Sequence, residues 1–294
     1  GALYAFRRHP RGAGMSARMR RFAEVADAYF AESYAGERVP PSDLVHVTCT
    51  GYESPSAAQR LVAARAWPTR VVHAYHMGCY AALPAVRLGE GLLLRDPDRA
   101  ARVDIAHTEL CSLHLDASAH DLEQLVVQSL FADGFIRYSL RRDGGRGLRL
   151  LAMHEVIAPE SADAMTWIPG EAGMRMTLSR DVPERIAGLL PAFAEELLGR
   201  GGLGPRDAAA CVFAVHPGGP KIIDRVRDAL ELAEAQVGAS RGVLRERGNM
   251  SSATLPHIWR RILADPAVAP GTKVASLAFG PGLTICGALF EKTC

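Results

Sequence analysis

The sequence predicts an α/β chain of two successive strand-and-helix units, and three observations carry that prediction. A short apolar run, VVHAY at 71–75, passes through Gly78-Cys79 into a helix pattern. Strand and helix patterns alternate from Leu44 to Thr108. A second alternation begins at Ala208 and ends in two strand-like runs joined by Gly280-Pro281-Gly282. Alternation of this kind predicts a mostly parallel sheet covered on both faces, with polar site residues at strand ends.

In chain order, residues 15–36 read as an amphipathic helix and Leu44–Thr48 as a strand that stops at Cys49-Thr50-Gly51. An alanine-rich helix covers Pro55–Trp67, and VVHAY is β-branched enough for a buried strand. The spacing of Tyr80, Ala81, Ala82, Leu83, Ala85, Val86 and Leu88 predicts a helix to about Leu94. Val103–Thr108 is a strand ending in Glu109, LEQLVVQSL at 122–130 a helix, and Phe135–Leu140 a strand. RRDGGRG at 141–147 is a turn, Leu148–Ile157 a strand and 158–172 loop-like. Met174–Leu178 is a short strand, Val182–Leu198 a helix, and Gly201, Gly202 and Gly204 a linker. Then come strand Ala210–Val215, helices over 220–234 and 240–247, a helix ending near Leu263, and strands Lys273–Phe279 and Leu283–Phe290.

Composition narrows the function class. The chain has 294 residues, enough for a large core, and its 34 basic and 32 acidic residues leave a formal charge of +2, which gives no reason to expect a nucleic-acid partner. Six cysteines without a CxxC pair are too few for a disulfide scaffold of this size and are expected to be reduced. With no signal peptide and no apolar run of membrane length, the expected location is cytoplasmic. The start, GALYAFRRHPRGAG, reads as a piece of a longer chain or one with loops closed up.

Three residues at element boundaries can carry chemistry: Cys79, His216 and Asn249. At a strand-to-helix turn, unpaired N–H groups and the helix dipole favour an anion and lower a thiol's pKa. A thiolate needs a base or cation to hold it, and a developing oxyanion needs donors. Each residue also has a structural reading: Cys79 as a core thiol, and His216 or Asn249 as a helix cap. No metal is expected, although His107, Cys111 and His114 have ligand-like spacing. The strings G-x-G-x-x-G at 199–204 and G-x-S-x-G at 238–242 each follow a helix pattern rather than a strand, so neither forms a dinucleotide fingerprint or a nucleophile elbow, and no P-loop is present.

The segments HMGCYAALPAVRLGEG, QLVVQSLFADG, SRDVPERI, VHPGGPKIIDRV, RERGNMSSATLPHIW and AFGPGLT together resemble the type III polyketide synthases, the chalcone synthase-like branch of the thiolase superfamily. They keep the family's order across residues 44–291. The resemblance implies a thiolase-like αβαβα layered fold of two pseudo-repeated halves, 1–200 with the nucleophile and 201–294 with the histidine and asparagine. The first half would lack part of its N-terminal region. It implies iterative decarboxylative condensation of malonyl-CoA onto an acyl-CoA starter, then cyclisation to a pyrone or resorcinol-type product, with no cofactor.

By the same resemblance Cys79 holds the acyl chain, while His216 and Asn249 hold the thioester carbonyl and promote decarboxylation. Phe131 falls on a gatekeeper, with Met176 at the second gatekeeper position in place of an aromatic. Glu109, Cys111, His114 and Ser251 fall on cavity positions, Lys221 near the coenzyme A entrance, and Gly280, Pro281 and Gly282 on the cyclisation loop. Tyr52, within Gly51–Pro55, stands where plant relatives present a methionine across a homodimer. A homodimer is therefore expected, with an acyl carrier protein as an alternative donor. The small cavity residues favour a fatty acyl starter. Two other readings compete: a single-round β-ketoacyl synthase III-type enzyme, and a non-catalytic acyl-binding or scaffold protein on the same fold.

Overall fold

The computed structural model describes residues 3–5, 7 and 10–294. The chain forms two pseudo-repeated α/β units. The first comprises Gly1–Asp143, Trp167–Met176 and Met250–Ala253, and the second the remaining segments Gly144–Thr166, Thr177–Asn249 and Thr254–Cys294. The chain thus passes from one unit to the other after Asp143 and returns twice, whereas the sequence suggested a single division at residue 200.

In the first unit, α1 (Met15–Ser33), β1 (Asp43–Thr48), α2 (Ala57–Ala64), β2 (Arg70–Tyr75), α3 (Ala82–Arg95), β3 (Arg102–Leu110), α4 (Leu122–Leu130) and β4 (Asp133–Arg141) follow in order. The strands form one sheet in the order β2-β1-β3-β4. β1 runs parallel to both β2 and β3, and β4 is antiparallel to β3. Side chains alternate across a strand, so β3 presents two different rows. Ala106 and Leu110 join Phe22, Ala26, Phe30 and Tyr34 of α1 and its C-cap in one apolar cluster. The other row, Val103, Ile105, His107 and Glu109, faces the α3 side. There a Cβ on Gly89 would lie 2.6 Å from Leu140 Cδ1 and 3.5 Å from Ile105 Cδ1, so glycine is what lets α3 approach the sheet. Opposite that row stand Leu140, Tyr138, Ile136 and Gly134 of β4.

The helices are shorter than the sequence suggested where local capping is strong. Ser56 and Gln59 form a reciprocal capping box that starts α2 at Ala57 rather than Pro55. Asp121 accepts the Gln124 N–H at 2.9 Å and starts α4 at the expected Leu122. The first helix stops at Ser33, three residues before Gly36.

The second unit contains β5 (Leu148–Ile157), β6 (Met165–Gly170), β7 (Gly173–Leu178), α5 (Val182–Arg200), β8 (Val212–Val215), α6 (Pro220–Ala229), α7 (Gly238–Arg247), α8 (Thr254–Ala264), β9 (Lys273–Gly280) and β10 (Thr284–Lys292), although the tip of the β6–β7 hairpin belongs to the first unit. The main sheet has the order β5-β10-β9-β8. Only β8 and β9 are parallel, and β10 is antiparallel to both neighbours, so the expectation of a mostly parallel sheet fails here. Ile186, Leu190, Phe193 and Leu197 of α5 supply one face of its core. A Cβ on Gly287 would meet Phe193 and Leu197 at 2.8 Å, which again lets helix and sheet close up. Two further expectations change. Residues 165–170 form a strand inside the stretch read as a loop, and the helix expected over 220–234 ends at Ala229. Among the described residues no helix is long and apolar enough to cross a membrane.

Candidate active site

β2 ends at Tyr75, and the chain turns through His76 (φ 60°) and Gly78 (φ 82°) into the turn Cys79–Ala81. α3 then starts at Ala82, so Cys79 lies three residues ahead of the helix rather than inside its first turn. The turn is closed by Ala81 N–H to the Gly78 carbonyl at 3.2 Å and Leu83 N–H to the Tyr80 carbonyl at 3.0 Å. Ala82 to Val86 are all buried, and Cys79 itself is 6% exposed. A left-handed conformation at a histidine is uncommon, and strain of this kind is often found beside functional groups.

Cys79 shares its surroundings with two more thiols and a carboxyl group. Burial pushes the Cys49 thiol well up, and the charges of Glu109, Cys79 and Cys111 add to that. Cys111 is raised in the same way, first by burial and then by Glu109 and Cys79. Both thiols are therefore neutral at pH 7, although the Cys111 residue as a whole is partly exposed. Glu109 is fully buried, and burial raises its pKa against the hydrogen bonds it accepts. Its Oε2 accepts from Thr50 Oγ1 at 2.8 Å and from Cys49 N–H at 3.1 Å. Its Oε1 accepts from Ser252 Oγ. Ser251, at φ 48°, is buried with its hydroxyl 3.0 Å from Cys49 Sγ. The late segment Met250–Ala253 reaches this place because β4 carries a glycine there. A Cβ on Gly134 would lie 2.5 Å from Met250 Cβ.

The hydrogen bonds of His114 fix its tautomer. Its Nε2 lies 2.7 Å from the Thr50 carbonyl oxygen, which can only accept, so Nε2 carries the proton. Its Nδ1 accepts the Met174 N–H at 3.0 Å. A second ring proton would face that N–H, and burial already lowers the pKa to about 4. His114 is a neutral clamp between β7 and the end of β1, and it is not placed for acid–base work. Trp167 stands edge-on to it at 5.5 Å between ring centroids and donates Nε1–H to the Cys49 carbonyl at 2.7 Å. The sequence reading left Trp167 inside a loop. Its partners lie 53 and 118 residues away, and the only local signal was a tryptophan followed by Ile168.

The gatekeeper candidates lie in the same unit. Phe131 is the half-buried C-cap of α4, and Met176 is a buried residue of β7. Gln124 of α4 donates to the Met176 carbonyl at 2.7 Å, which joins the two elements. Tyr52 is 38% exposed and packs on Tyr75 and His76 at 6.2 and 5.4 Å between centroids.

The second unit holds the remaining candidates. His216 follows β8 and is 1% exposed, with its N–H on the Leu277 carbonyl at 2.8 Å. Neither of its ring nitrogens has a hydrogen-bond partner among the described residues. Burial lowers its pKa to about 3, so the ring is neutral at pH 7. The capping readings fail for both polar candidates: α6 is capped by Gly219 without a side chain, and α8 begins at Thr254, five residues beyond Asn249. Asn249 is buried and its Oδ1 accepts from Thr254 Oγ1 at 3.4 Å, which leaves its amide N–H groups as donors. Lys221 is exposed in the first turn of α6. In the Gly280–Gly282 loop, Gly282 has φ 62° and donates to the Met165 carbonyl at 3.1 Å. It borders a cavity of about 670 Å³ lined also by Glu160, Asp163, Asp181 and Arg185, charged groups unlike those around Cys79.

Among the described residues no group of three or more His, Cys, Asp or Glu side chains could hold a metal ion. The spacing of His107, Cys111 and His114 has another use. The ring of His107 bonds Ser252 and Tyr138, and that of His114 bonds Thr50 and Met174.

Comparison with known proteins gives a consistent result. Residues 149–293 match the family described as chalcone and stilbene synthases, C-terminal domain. The chain is 29% identical over 243 residues to a 1,3,6,8-tetrahydroxynaphthalene synthase of Streptomyces coelicolor, covering 82% of this chain and 64% of that protein. It is 28% identical over 255 residues to the synthase of the same name from Streptomyces griseus, covering 85% and 67%. The chain thus spans about two thirds of the length of these curated relatives. The crystal structure of the Streptomyces coelicolor synthase, a bacterial type III polyketide synthase, superimposes with a TM-score of 0.86 at 26% identity over 96% of this chain and 82% of that one.

Proposed function

The chain belongs to the chalcone synthase-like type III polyketide synthases of the thiolase superfamily, and on that premise we propose that it condenses malonyl units from malonyl-CoA onto an acyl group held by Cys79. Iteration and ring closure would give a pyrone or resorcinol-type polyketide.

The observation that carries the reading is His216. A buried ring whose two nitrogens have no partner among the described residues leaves both groups desolvated and unsatisfied, a cost of about 1–3 kcal/mol for each. Such a group is expected to meet a polar partner during function. A thioester carbonyl supplies one. Decarboxylation of a malonyl thioester places negative charge on that oxygen, and a neutral ring donor with the Asn249 amide stabilises it without a strong base that would protonate the carbanion. Holding the growing chain as a thioester on Cys79 makes each condensation effectively intramolecular. The neutral thiols of Cys49 and Cys111 line the nucleophile's surroundings without competing charge.

Trp167 bears on the starter. Together with His114 it places two fixed rings beside the carbonyls of Cys49 and Thr50, and Cys49 shares its surroundings with Cys79. That weighs against the long fatty acyl starter favoured by the small cavity residues and for a short one, acetyl or malonyl. The partners of this activity would be acyl-CoA and malonyl-CoA, Lys221 would meet the coenzyme A entrance, and the assembly would be a homodimer.

The test offers the purified chain malonyl-CoA with a panel of starters from acetyl to palmitoyl, with mass detection of products. Several extensions followed by ring closure are expected, with short starters preferred. A linear product of one extension would overturn the iterative reading, and preference for palmitoyl would overturn the short-starter reading.

A further inference from the structure

We propose that Tyr138, His107 and Ser252 are positioning residues that form a reversible proton chain to the carboxyl group of Glu109. The four residues come from β4, β3 and the turn Ser251–Ala253, and all lie in the first unit. Glu109 and His107 stand two apart on β3 and share the α3-facing row. Tyr138 lies opposite Ile105 in register, diagonal to His107, and its ring stacks on the imidazole at 5.6 Å between centroids.

The hydrogen bonds have a direction. Ser252 Oγ donates to Glu109 Oε1. Its oxygen therefore accepts from His107 Nδ1, 2.9 Å away, so the proton of the neutral ring is on Nδ1. His107 Nε2 then accepts from the Tyr138 hydroxyl at 3.2 Å. Every donor points towards the carboxylate.

The other carboxylate oxygen is the less favourable place for a proton. Oε2 already accepts from the Cys49 N–H at 3.1 Å, from the Thr50 hydroxyl at 2.8 Å and from the Thr48 hydroxyl at 3.4 Å. A proton arriving on Glu109 therefore settles on Oε1 and turns the whole chain round. Glu109 O–H then donates to Ser252, Ser252 to His107 Nδ1, and His107 Nε2–H to the Tyr138 oxygen.

Each step balances. Tyr138, half-buried on the edge strand β4 although burial raises its hydroxyl's pKa, takes a proton from a solvent hydronium ion on its oxygen, leaving water, and gives its own to His107 Nε2. The ring passes its Nδ1 proton to Ser252, and Ser252 passes its hydroxyl proton to Glu109. One proton has moved inwards, the histidine has changed tautomer, and no group in between keeps a charge. Chains of this kind polarise one another in a low-dielectric interior.

The thiols of Cys49 and Cys111 also face Glu109, with Cys79 near both thiols and Asp133 near Cys111. Burial raises the pKa of Glu109 against the hydrogen bonds it accepts from Ser252, Cys49 and Thr50. Use of the chain in polyketide ring closure rests on the condensing-enzyme reading, since closing rings moves protons between carbon and oxygen. The chain itself does not depend on it.

The test therefore uses the full chain without substrate. The Glu109 carboxyl band is identified in infrared spectra by its loss in Glu109→Gln and titrated, while nitrogen-15 spectra follow the His107 ring. The ring proton is expected to move from Nδ1 to Nε2 as pH falls, at the same midpoint as the carboxyl band. Tyr138→Phe removes the outer oxygen from both directions of the chain and keeps the ring, and it is expected to slow exchange between the two ring tautomers. Ser252→Ala is expected to leave the ring tautomer unchanged through the Glu109 titration. A ring that keeps its Nδ1 proton throughout the Glu109 titration would overturn the proposal. So would a Ser252→Ala ring that still changes tautomer with the carboxyl band. Loss of condensing activity in any assay would affect neither outcome, so this test and that of the activity fail separately.

Discussion

The indole Nε1–H of Trp167 donates to the carbonyl oxygen of Cys49 across 2.7 Å, which fixes a large ring from the β6–β7 hairpin beside the end of β1. The expected result of Trp167→Ala is a wider site. Longer acyl starters should be accepted and the product distribution should move towards them, by at least tenfold in the ratio of palmitoyl to acetyl products. An unchanged ratio would mean that the ring does not bound the acyl chain.

Cys79→Ala should abolish acyl loading. The motivation is a buried thiol in the turn ahead of α3. Intact-protein mass spectrometry after incubation with acyl-CoA gives the answer. Equal labelling of variant and parent would move the nucleophile elsewhere, with Cys111 the next to examine, since its residue is partly exposed.

Replacing His216 by Ala, or Asn249 by Ala, should lower malonyl decarboxylation by roughly 10²–10³-fold, the usual cost of losing one donor to a developing oxyanion. Loading of Cys79 should suffer much less. Carbon dioxide release and cysteine acylation, measured separately, separate the two steps. Normal release from either variant removes that residue from the role.

Acid should destabilise the fold through its buried histidines. His46 and His216 have pKa values near 3 and His114 near 4, each lowered first by burial, against 6.5 for the unperturbed ring. Between those values the unfolded chain binds protons that the folded chain does not. The stability is therefore complete above about pH 6.5 and is lost as pH falls towards 4. The melting temperature should drop from pH 7 to pH 5. His114→Gln, whose amide can donate to Thr50 and accept from Met174, should show a smaller drop. An equal drop would mean that His114 does not contribute.

Gly134→Ala should cost about 1–3 kcal/mol, since the new methyl would meet Met250 Cβ at 2.5 Å and the segment would have to move. Ser251 and Ser252 would move with it, so the Glu109 titration should shift as well. A variant as stable as the parent would show that the segment has room to yield.

These sites were legible in the sequence to different depths, for physical reasons. Cys79 showed itself because a strand, a glycine and a helix of small residues are all local. Leu122–Leu130 and Leu148–Ile157 fell where their patterns end, the first at an aspartate cap and the second after the glycine-rich turn 141–147. Strand direction did not show: an apolar run reads the same in a parallel and an antiparallel pair, and β10 with its two antiparallel neighbours was missed for that reason. Met165–Gly170 was hidden because Pro169 and Gly170 end the strand with turn residues, and its pairing with β7 is what makes it a strand. The partners of Trp167, Ser252 and His107 were not legible, since each acquires its role from residues tens of positions away.

The return of Met250–Ala253 to the first unit has a consequence for synthesis on the ribosome. The nascent chain emerges from its N-terminus, so Asp143 appears long before the serine that bonds Glu109. At about 5–20 residues per second, the roughly 110 residues in between take on the order of 5–20 s to appear. Through that interval the early sheet holds a carboxyl group without its Ser252 donor, and a glycine notch at position 134 with nothing in it. The first unit to be made is therefore among the last to be finished, and an agent that binds such open sheets has its best opportunity before residue 253 emerges.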